Sequence, residues 1–366
     1  MTRQEEVQAK LERLRAWMSQ EGYGTVILST QANFAWITAG GDNHVLLTTE
    51  AGVGRVVLTT AGQYVLTSNI EAPRLADEEL ESLPFEILDA GWHVQDDAAA
   101  LEKVAQGQWA SDTEWPPDAA NRGDDIAHLQ YALFPGEIER YRQAGALCSR
   151  AISEVGKSVQ PGMTEHEISA LMMQKVRSQG IDPIVVLVAT DERTLKFRHP
   201  IPTAKPLENH AMLVLCGRYT GLIVSLTRMV HFGELSQELV DKHRAVCTVD
   251  ACLNLETRPG AAVRDIFRQA VETYAATGFS DEWTLHHQGG GTGYGSRTFK
   301  GSPTCEEVVL ENQAYAWNPS ITGTKSEDTI LATTRGPEFL STPVDWPRVE
   351  VEWKGQKLQR ADILIR

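Results

Sequence analysis

Two adjacent histidines, His286 and His287, precede Gln288 and a run of three glycines, and together they form the most distinctive local motif of the sequence. Histidine suits proton transfer and ligand binding because its ordinary pKa lies close to neutrality. Neighbouring side chains on a strand point to opposite faces, which predicts that only one of the two histidines faces a cleft. The glycine run at 289–291 permits close approach of backbone to a ligand, and a simple turn explains it too.

A further histidine and an acidic motif accompany this pair. His199 lies in an Arg-His-Pro sequence, where it could transfer protons or only hydrogen-bond to a loop backbone. Glu327, in Ser-Glu-Asp-Thr, could accept an N–H group from a cationic or amide ligand. It could equally form an ion pair with Lys325 or Arg297. The sequence leaves both alternatives open for each residue.

The composition is that of a globular chain of two domains, with 366 residues, 42% of them hydrophobic and 23% charged. A net charge of -15 would repel polyphosphate and anionic lipid, so neither nucleic acid nor a membrane is a predicted partner. The acidic N-terminal residues do not resemble a signal peptide, and no run of about 18 apolar residues occurs, which predicts a cytoplasmic protein. No Gly-x-Gly-x-x-Gly motif or P-loop is present, so no cofactor is predicted.

The N-terminal part of the chain, residues 1 to about 130, predicts a small α/β domain. Four apolar residues at helical spacing, followed by Gly22, predict an N-terminal amphipathic helix: Val7, Leu11, Leu14 and Met18. Short strand-like runs follow at residues 25–28, 45–49, 55–59 and 64–67. The polar segment 115–124 is rich in proline and glycine and predicts a linker.

The C-terminal part contains a degenerate internal repeat. A long helix is predicted from residue 138, and Thr164 with Glu167 predicts a capping box at the start of the next helix. The Pro-Gly pair that ends at Gly162 recurs 98 residues later at Gly260. Ile168 and Gly180 recur at the same interval, as Ile266 and Gly278. The repeat predicts two similar halves related by a pseudo-twofold axis, with a ligand cleft where they meet.

Residues 136–340 resemble the pita-bread family of Xaa-Pro aminopeptidases, prolidases and creatinases. The resemblance rests on the Pro-Gly-x-Thr-Glu helix start, the His-Pro pair, a hairpin ending in Thr227-Arg228, the His/Gly-rich turn and Ser-Glu-Asp-Thr. It implies an α+β fold with a C-terminal pita-bread domain, residues 131–366, and a smaller creatinase-like α/β domain, residues 1–130. It also implies a homodimer.

Metal-dependent members of this family bind two divalent metals through five ligand positions, and most of these positions are altered here. The resemblance places the following residues at four of them: Val214, Ser225, Gly290 and Asn318. Only Glu327 keeps a carboxylate. Valine and glycine offer no ligand atom, and neutral hydroxyl or amide groups are weak ligands, so we predict that no metal is bound at these positions.

The resemblance also suggests roles for the remaining polar residues. His199 takes the position of a family histidine that contacts substrate, and its equivalent in the metal-free creatinase branch acts as general acid/base. Arg297 takes the position of a second family histidine, and its planar fork could hold a carboxylate. The predicted catalytic residues are His199, Glu327 and His287. The predicted ligand-binding residues are His286, Gln288, Tyr294, Arg297, Asn318 and Lys325.

Three functions are compatible with these residues. The favoured one is a metal-independent hydrolase-like protein whose cleft binds a small amide, a short peptide or a guanidino compound. The second is a non-catalytic homologue with a binding or regulatory role. The third is a metal-dependent Xaa-Pro aminopeptidase or dipeptidase. Polar residues persist at the site positions, whereas an inactive enzyme usually scrambles them, and this slightly favours the first.

Overall fold

The structure, a computed structural model, describes residues 1–94 and 96–366 and divides the chain into two compact units. The first unit comprises Met1–Glu137 together with Thr220–Leu222, and the second comprises Ile138–Tyr219 and Ile223–Arg366. The division predicted from the sequence, between residues 130 and 131, falls slightly earlier in the chain.

The first unit is built on a six-stranded sheet of order β4-β3-β2-β1-β5-β6. Its strands are β1 (Tyr23–Thr30), β2 (Ala51–Thr59), β3 (Gln63–Thr67), β4 (Glu86–Asp89), β5 (Gln108–Ser111) and β6 (Ala120–Asn121). Its helices are α1 (Arg3–Glu21), α2 (Gln31–Ile37), α3 (Ala72–Arg74), α4 (Asp97–Glu102) and α5 (Gly123–His128), with a π-helical turn at Leu75–Glu79. Central strand β1 is antiparallel to β2 and parallel to β5, which is a mixed α/β arrangement.

The predicted N-terminal helix is confirmed as α1. Thr2 and Glu5 form a capping box at its start, and Gly22 ends it in the left-handed conformation with φ +80°. The strands predicted at 25–28, 55–59 and 64–67 lie within β1, β2 and β3. The strand predicted at 45–49 is wrong. That segment is an exposed loop, where the Gln31 amide donates to the carbonyls of Leu46 and Thr49 and so replaces a neighbouring strand as their partner.

The linker predicted at residues 115–124 is also wrong. This segment carries β6, which pairs in parallel with β5 and completes the edge of the sheet. Arg122 then bonds to Asp125, Tyr23 and Glu21, so the segment is tied into the first unit. Its proline and glycine residues therefore mark a turn that returns the chain to the sheet, which composition alone does not distinguish from a linker.

The second unit contains long helices and several sheets. Its helices are α6 (Pro135–Ser158), α7 (Glu165–Arg177), α8 (Glu192–Lys196), α9 (Gln237–Glu256) and α10 (Val263–Ala276), with a 3₁₀ turn at Glu282–Leu285. Its strands are β7 (Asp182–Thr190), β8 (His210–Tyr219), β9 (Leu222–His231), β10 (Gly289–Thr292), β11 (Gln313–Trp317), β12 (Ser320–Ile321), β13 (Thr324–Lys325), β14 (Asp328–Thr333), β15 (Gly336–Phe339), β16 (Arg348–Trp353), β17 (Gln356–Ala361) and β18 (Leu364–Ile365). The two larger sheets have the orders β10-β11-β14-β15 and β18-β9-β8-β7.

The internal repeat is visible in the structure. Helices α7 and α10 begin 98 residues apart, which is the interval read from the sequence. Gly162 and Gly260 precede them with φ of +92° and +89°, a conformation that favours glycine. The amide of Gly162 donates to Leu207 O at 2.7 Å, and the amide of Gly260 donates to Val309 O at 2.8 Å. The same local structure therefore occurs in both halves of the second unit.

A helix that crosses a membrane must be both long and apolar. Among the residues that the structure describes, no helix combines the two.

Candidate functional site

Strands β10, β11 and β14 bring four of the predicted site residues to one end of a sheet. Gly289 pairs with Trp317, and Trp317 pairs with Asp328 on its other side. Residues within two positions of these three therefore lie close together. They are His287 and Gln288 before β10, Asn318 after β11 and Glu327 before β14.

Glu327 is buried and accepts from three donors. Its Oε2 accepts from Lys325 Nζ at 2.7 Å and from Thr227 Oγ1 at 2.7 Å. Its Oε1 accepts from Arg297 Nη2 at 3.1 Å. Burial raises the pKa of this carboxyl, but the charges of Lys325 and Arg297 outweigh burial and lower the pKa to about 2. Of the alternatives left open by the sequence, the ion pair is formed, and with both cations.

Ser225 lies beside this ion cluster. It is buried, its Oγ donates to Cys216 Sγ at 3.2 Å, and the same oxygen accepts from Arg297 Nη1 at 3.4 Å. Burial raises the pKa of the Cys216 thiol, so the sulfur remains protonated and uncharged at neutral pH. The position of Ser225 thus holds a neutral hydroxyl that bonds within the protein.

Val214 belongs to an apolar cluster. It is buried opposite Leu187 in the β7–β8 ladder and packs in one cluster with Met212 and Met229. An ion next to this side chain would have no compensating group there, and burying an uncompensated charge is costly.

Gly290 is covered by the chain that follows it. Its φ is +155°, and a Cβ added there would lie 2.2 Å from Phe299 O. The amide of Gly301 donates to Gly289 O at 2.9 Å, which holds the covering segment in place along β10. The backbone geometry therefore leaves no room for any side chain at Gly290, and glycine is required for a steric reason.

Asn318 has an unsatisfied acceptor. It is buried, its backbone N–H donates to the backbone carbonyl of Gln288 at 3.0 Å, and its side-chain Oδ1 has no hydrogen-bond partner within the described part of the chain. The Nε–H of Arg297 is likewise buried without an acceptor there. Each such group costs about 1–3 kcal/mol when it stays unpaired.

The structure brings three histidines together. Nε2 of His286 lies 3.1 Å from Nε2 of His199, and the ring centroids of His199 and His287 are 5.8 Å apart. The rings of His286 and His287 are tilted by 31° with centroids 4.3 Å apart. Both rings of the pair lie near His199, and because both residues precede β10 they need not follow strand alternation; which of them faces a ligand cleft stays a prediction.

All three histidines are held in the neutral form. Burial, with Lys325 as the next cause, lowers the pKa of His286 to about 3. Burial followed by Arg297 lowers the pKa of His287 to about 4. His199 is the most exposed of the three, and partial burial together with Lys325 lowers its pKa below the ordinary value. Neutral imidazoles keep a nitrogen lone pair at neutral pH, as a proton acceptor requires.

Two further predicted ligand residues are buried. Gln288 accepts from Tyr274 OH at 2.7 Å and donates to Trp283 O at 3.0 Å, so its amide holds the 3₁₀ turn against α10. This corrects the assignment of Gln288 as a ligand-binding residue, because its polar atoms bond internally. Tyr294 is also buried, and its proposed contact with a ligand stays a prediction.

The sequence reasoning missed two features next to the site. Lys300 is exposed, and its charge acts on both His199 and His287. Behind Glu327, Asp328 pairs with Arg228 at 2.9 Å and with Arg360 at 2.9 Å in a fully buried network. The acidic pair at 327 and 328 was a usable signal for this network, since a buried carboxylate needs a cationic partner.

Comparisons with known proteins identify the family. The sequence model of metallopeptidase family M24 matches residues 139–334, which is more than half of the chain. An uncharacterized peptidase of Staphylococcus aureus (strain MW2) is 24% identical over 226 residues, 59% of this chain and 64% of the relative. The match to such curated relatives thus spans less than two thirds of their length.

Solved structures agree on the fold. An Xaa-Pro dipeptidase from Bacillus anthracis aligns with a TM-score of 0.78 at 18% identity, covering 98% of this chain and 100% of that one. The prolidase from Pyrococcus horikoshii OT3 aligns with a TM-score of 0.77 at 17% identity, covering 91% and 98%. The predicted α+β pita-bread fold with its smaller N-terminal domain is confirmed, and the chain belongs to metallopeptidase family M24.

Proposed function

We propose that this chain is a metal-independent member of its family, which binds a small amide, a short peptide or a guanidino compound and hydrolyses it with His199 as proton-transfer group. The observation that carries the proposal is the ion cluster at Glu327. Two protein cations, Lys325 and Arg297, occupy the carboxylate that would otherwise bind metal.

The other ligand positions argue against a dinuclear metal centre as well. Two divalent ions bring a charge of about four, which needs several anionic oxygen ligands. Val214 is apolar, Ser225 is a hydroxyl bonded to a thiol, and Gly290 has no room for a side chain. With two cations already at Glu327, these residues do not fit the family's metals.

The unsatisfied polar atoms indicate what the ligand carries. Asn318 Oδ1 calls for an N–H donor, as an amide or a guanidinium provides. Arg297 Nε–H calls for an acceptor, such as a carbonyl or carboxylate oxygen. The exposed charge of Lys300 further favours a carboxylate on the ligand. Dipeptides and N-acyl or guanidino acids combine these groups.

The histidine pair supplies the proton chemistry. His286 Nδ1 bonds to the carbonyl of His287, and a carbonyl accepts only from N–H, so His286 Nε2 carries the lone pair. His199 Nε2–H then donates to it, and His199 Nδ1 is left as a base. In the proposed reaction this base takes a proton from water as the C–O bond forms. It returns the proton to the leaving nitrogen as the C–N bond breaks.

A binding function without catalysis is the second candidate. It is favoured by the pairing of Glu327, whose ionised carboxylate bonds to Lys325, Thr227 and Arg297 and is a weak base beside two cations. This reading also revises the sequence-based assignment of Glu327 as a catalytic group. We propose that Glu327 positions Lys325 and Arg297 and takes no part in proton transfer.

The two candidates differ in the effect of His199→Ala on a chelator-treated chain. Thermal-shift screening of dipeptides, N-acyl amino acids and guanidino acids would first identify a ligand. Hydrolysis of that ligand is expected to continue in excess chelator and to fall by about 100-fold or more in His199→Ala. The control is His166→Ala, which removes an exposed histidine at the start of α7.

Each outcome selects one candidate. Ligand binding without turnover in the wild type would support the binding function and reject the hydrolase. Turnover that stops with chelator and returns with added metal would reject both. The homodimer and the cytoplasmic location implied by the sequence stay proposals, and sedimentation equilibrium of the full chain would test the first.

A further inference from the structure

The three histidines also have the geometry of a metal site. One ring nitrogen from each of His199, His286 and His287 lies within 4.8 Å of the other two. Zinc binds imidazole nitrogen at about 2.0–2.1 Å in tetrahedral sites, which places neighbouring ligand nitrogens about 3.3 Å apart. The Nε2 atoms of His199 and His286 are 3.1 Å apart. The rings would have to rotate to bring all three nitrogens to that separation, and His287 would bind through Nε2, since its Nδ1 accepts from the amide of Gly289 at 3.2 Å.

The ring of His286 is oriented by a backbone hydrogen bond of the kind that metal-binding histidines commonly make. Such histidines usually donate the second ring N–H to a carbonyl or carboxylate, which fixes the tautomer and the ring orientation. His286 makes this contact through Nδ1 to the carbonyl of His287. Its Nε2 therefore points a lone pair at the space shared with His199.

We propose that His199, His286 and His287 bind one borderline divalent metal ion such as Zn²⁺, and that this ion inhibits the protein. The inhibitory part rests on the proposed function, whereas the binding part does not. This site shares no residue with the five positions of the dinuclear centre, of which Glu327 alone keeps a carboxylate. It is a different site with the opposite effect.

The ligand set decides which metals bind. Three imidazoles suit Zn²⁺, Cu²⁺, Ni²⁺ and Co²⁺, whereas Mg²⁺ and Ca²⁺ need oxygen ligands. Neutral ligands leave the charge of the ion uncompensated, and the group formed by Lys325, Arg297 and Glu327 is itself positive by one charge. The fourth coordination position is therefore expected to take an anion, and anions such as carboxylates should strengthen metal binding.

Inhibition follows from the nitrogen that the metal uses. Coordination through His199 Nε2 requires that nitrogen to lose its hydrogen, so the remaining ring proton moves to Nδ1. The base used for hydrolysis is then blocked. A metal-dependent peptidase would instead gain activity with the same ion.

The test is titration of the chelator-treated, desalted full chain with ZnCl₂ by calorimetry, and with CoCl₂ by visible absorption. We expect one equivalent of Zn²⁺ to bind, and Co²⁺ to give the intense bands of a tetrahedral site. His199→Ala, whose side chain is exposed, should weaken Zn²⁺ binding by about 100-fold or more, since even outer-shell changes cost 10–100-fold. His166→Ala should bind as the wild type does.

Several results would overturn the site. They are two equivalents of metal, no saturable binding, or unchanged affinity in both His199→Ala and His286→Ala. Melting temperatures of the metal-free variants would separate ligand loss from unfolding. The inhibition is tested separately, as turnover of the screened substrate against bound Zn²⁺. Activation by one equivalent would reject it, and an inactive wild type would refute the hydrolase and the inhibition while the binding result stands.

Discussion

Glu327 and Asp328 are consecutive acidic residues, and both are buried and paired with cations, yet their surroundings differ. Asp328 shares Arg360 with Asp250, and its carboxylate bonds to Arg228, Arg360 and the hydroxyl of Ser341. All the charged groups of this inner network are almost fully inaccessible to solvent.

The cluster at Glu327 is less closed. Its arginine, Arg297, is 13% exposed, and the Nε–H of that side chain has no acceptor among the residues described. Arg228 in the inner network likewise has an Nε–H without an acceptor among the described residues, so the two clusters differ in exposure: only the Glu327 cluster includes a partly exposed arginine. We infer that the inner network serves stability and that the Glu327 cluster serves ligand binding.

The comparison predicts the largest loss of stability when the inner network is broken. Arg360→Met should lower the free energy of unfolding by about 3–5 kcal/mol, because Asp250 and Asp328 would lose a buried cation. Chemical denaturation measures this loss. Arg268→Met is the control, since its ion pairs are exposed and worth at most about 1 kcal/mol. Equal stability of the two variants would refute the structural role.

The covering of Gly290 predicts the next largest effect. Gly290→Ala should cost about 2–3 kcal/mol, because its Cβ would meet Phe299 O and its φ of +155° disfavours other residues. Gly293→Ala is a matched control in the same motif, because an added Cβ there meets nothing within 4 Å. Denaturation of both variants checks the difference. If alanine at Gly290 did not lower stability, the segment from Phe299 to Gly301 must be able to move away. The position could then accommodate a metal-binding side chain.

Local features of the fold could be predicted from the sequence because their causes are local. The capping box of Thr164 and Glu167 lies within four residues, and the glycines that end helices mark their own positions. The repeat was detectable because both halves keep the same helix boundaries. The predictions for 45–49 and 115–124 were wrong because contacts distant in the chain determine these conformations. The Gln31 side chain bonds to the first segment, and the second pairs with the edge of the sheet.

The site could be predicted only in part. Lys325 was a possible partner of Glu327 because it lies two residues away, and Arg297 because the family resemblance places it at a site position 30 residues away; the structure forms both pairs. The contact of Arg360 with Asp250 joins residues 110 positions apart, and no sequence pattern indicates it. The contact between His199 and His286 spans 87 positions and depends equally on the tertiary fold.

Lys325→Met is expected to have the smallest effect on stability at neutral pH, about 1–2 kcal/mol, since Glu327 keeps Arg297 and Thr227. Its effect on the pH dependence is more informative. The folded pKa of Glu327, about 2, lies below the unfolded value near 4.5. The unfolded state therefore binds the proton first as the pH falls.

The stability from ionised Glu327 is thus complete above pH 4.5 and is lost as the pH falls towards 2. Without Lys325 the pKa of this carboxyl rises, because burial is then opposed mainly by Arg297. The difference in unfolding free energy between wild type and Lys325→Met should accordingly shrink between pH 4.5 and 2, while Lys103→Met, an exposed control, shows a constant difference. A constant difference for Lys325→Met would mean that Lys325 does not sustain the charge of Glu327, and the contrast with Asp328 would then lose its basis.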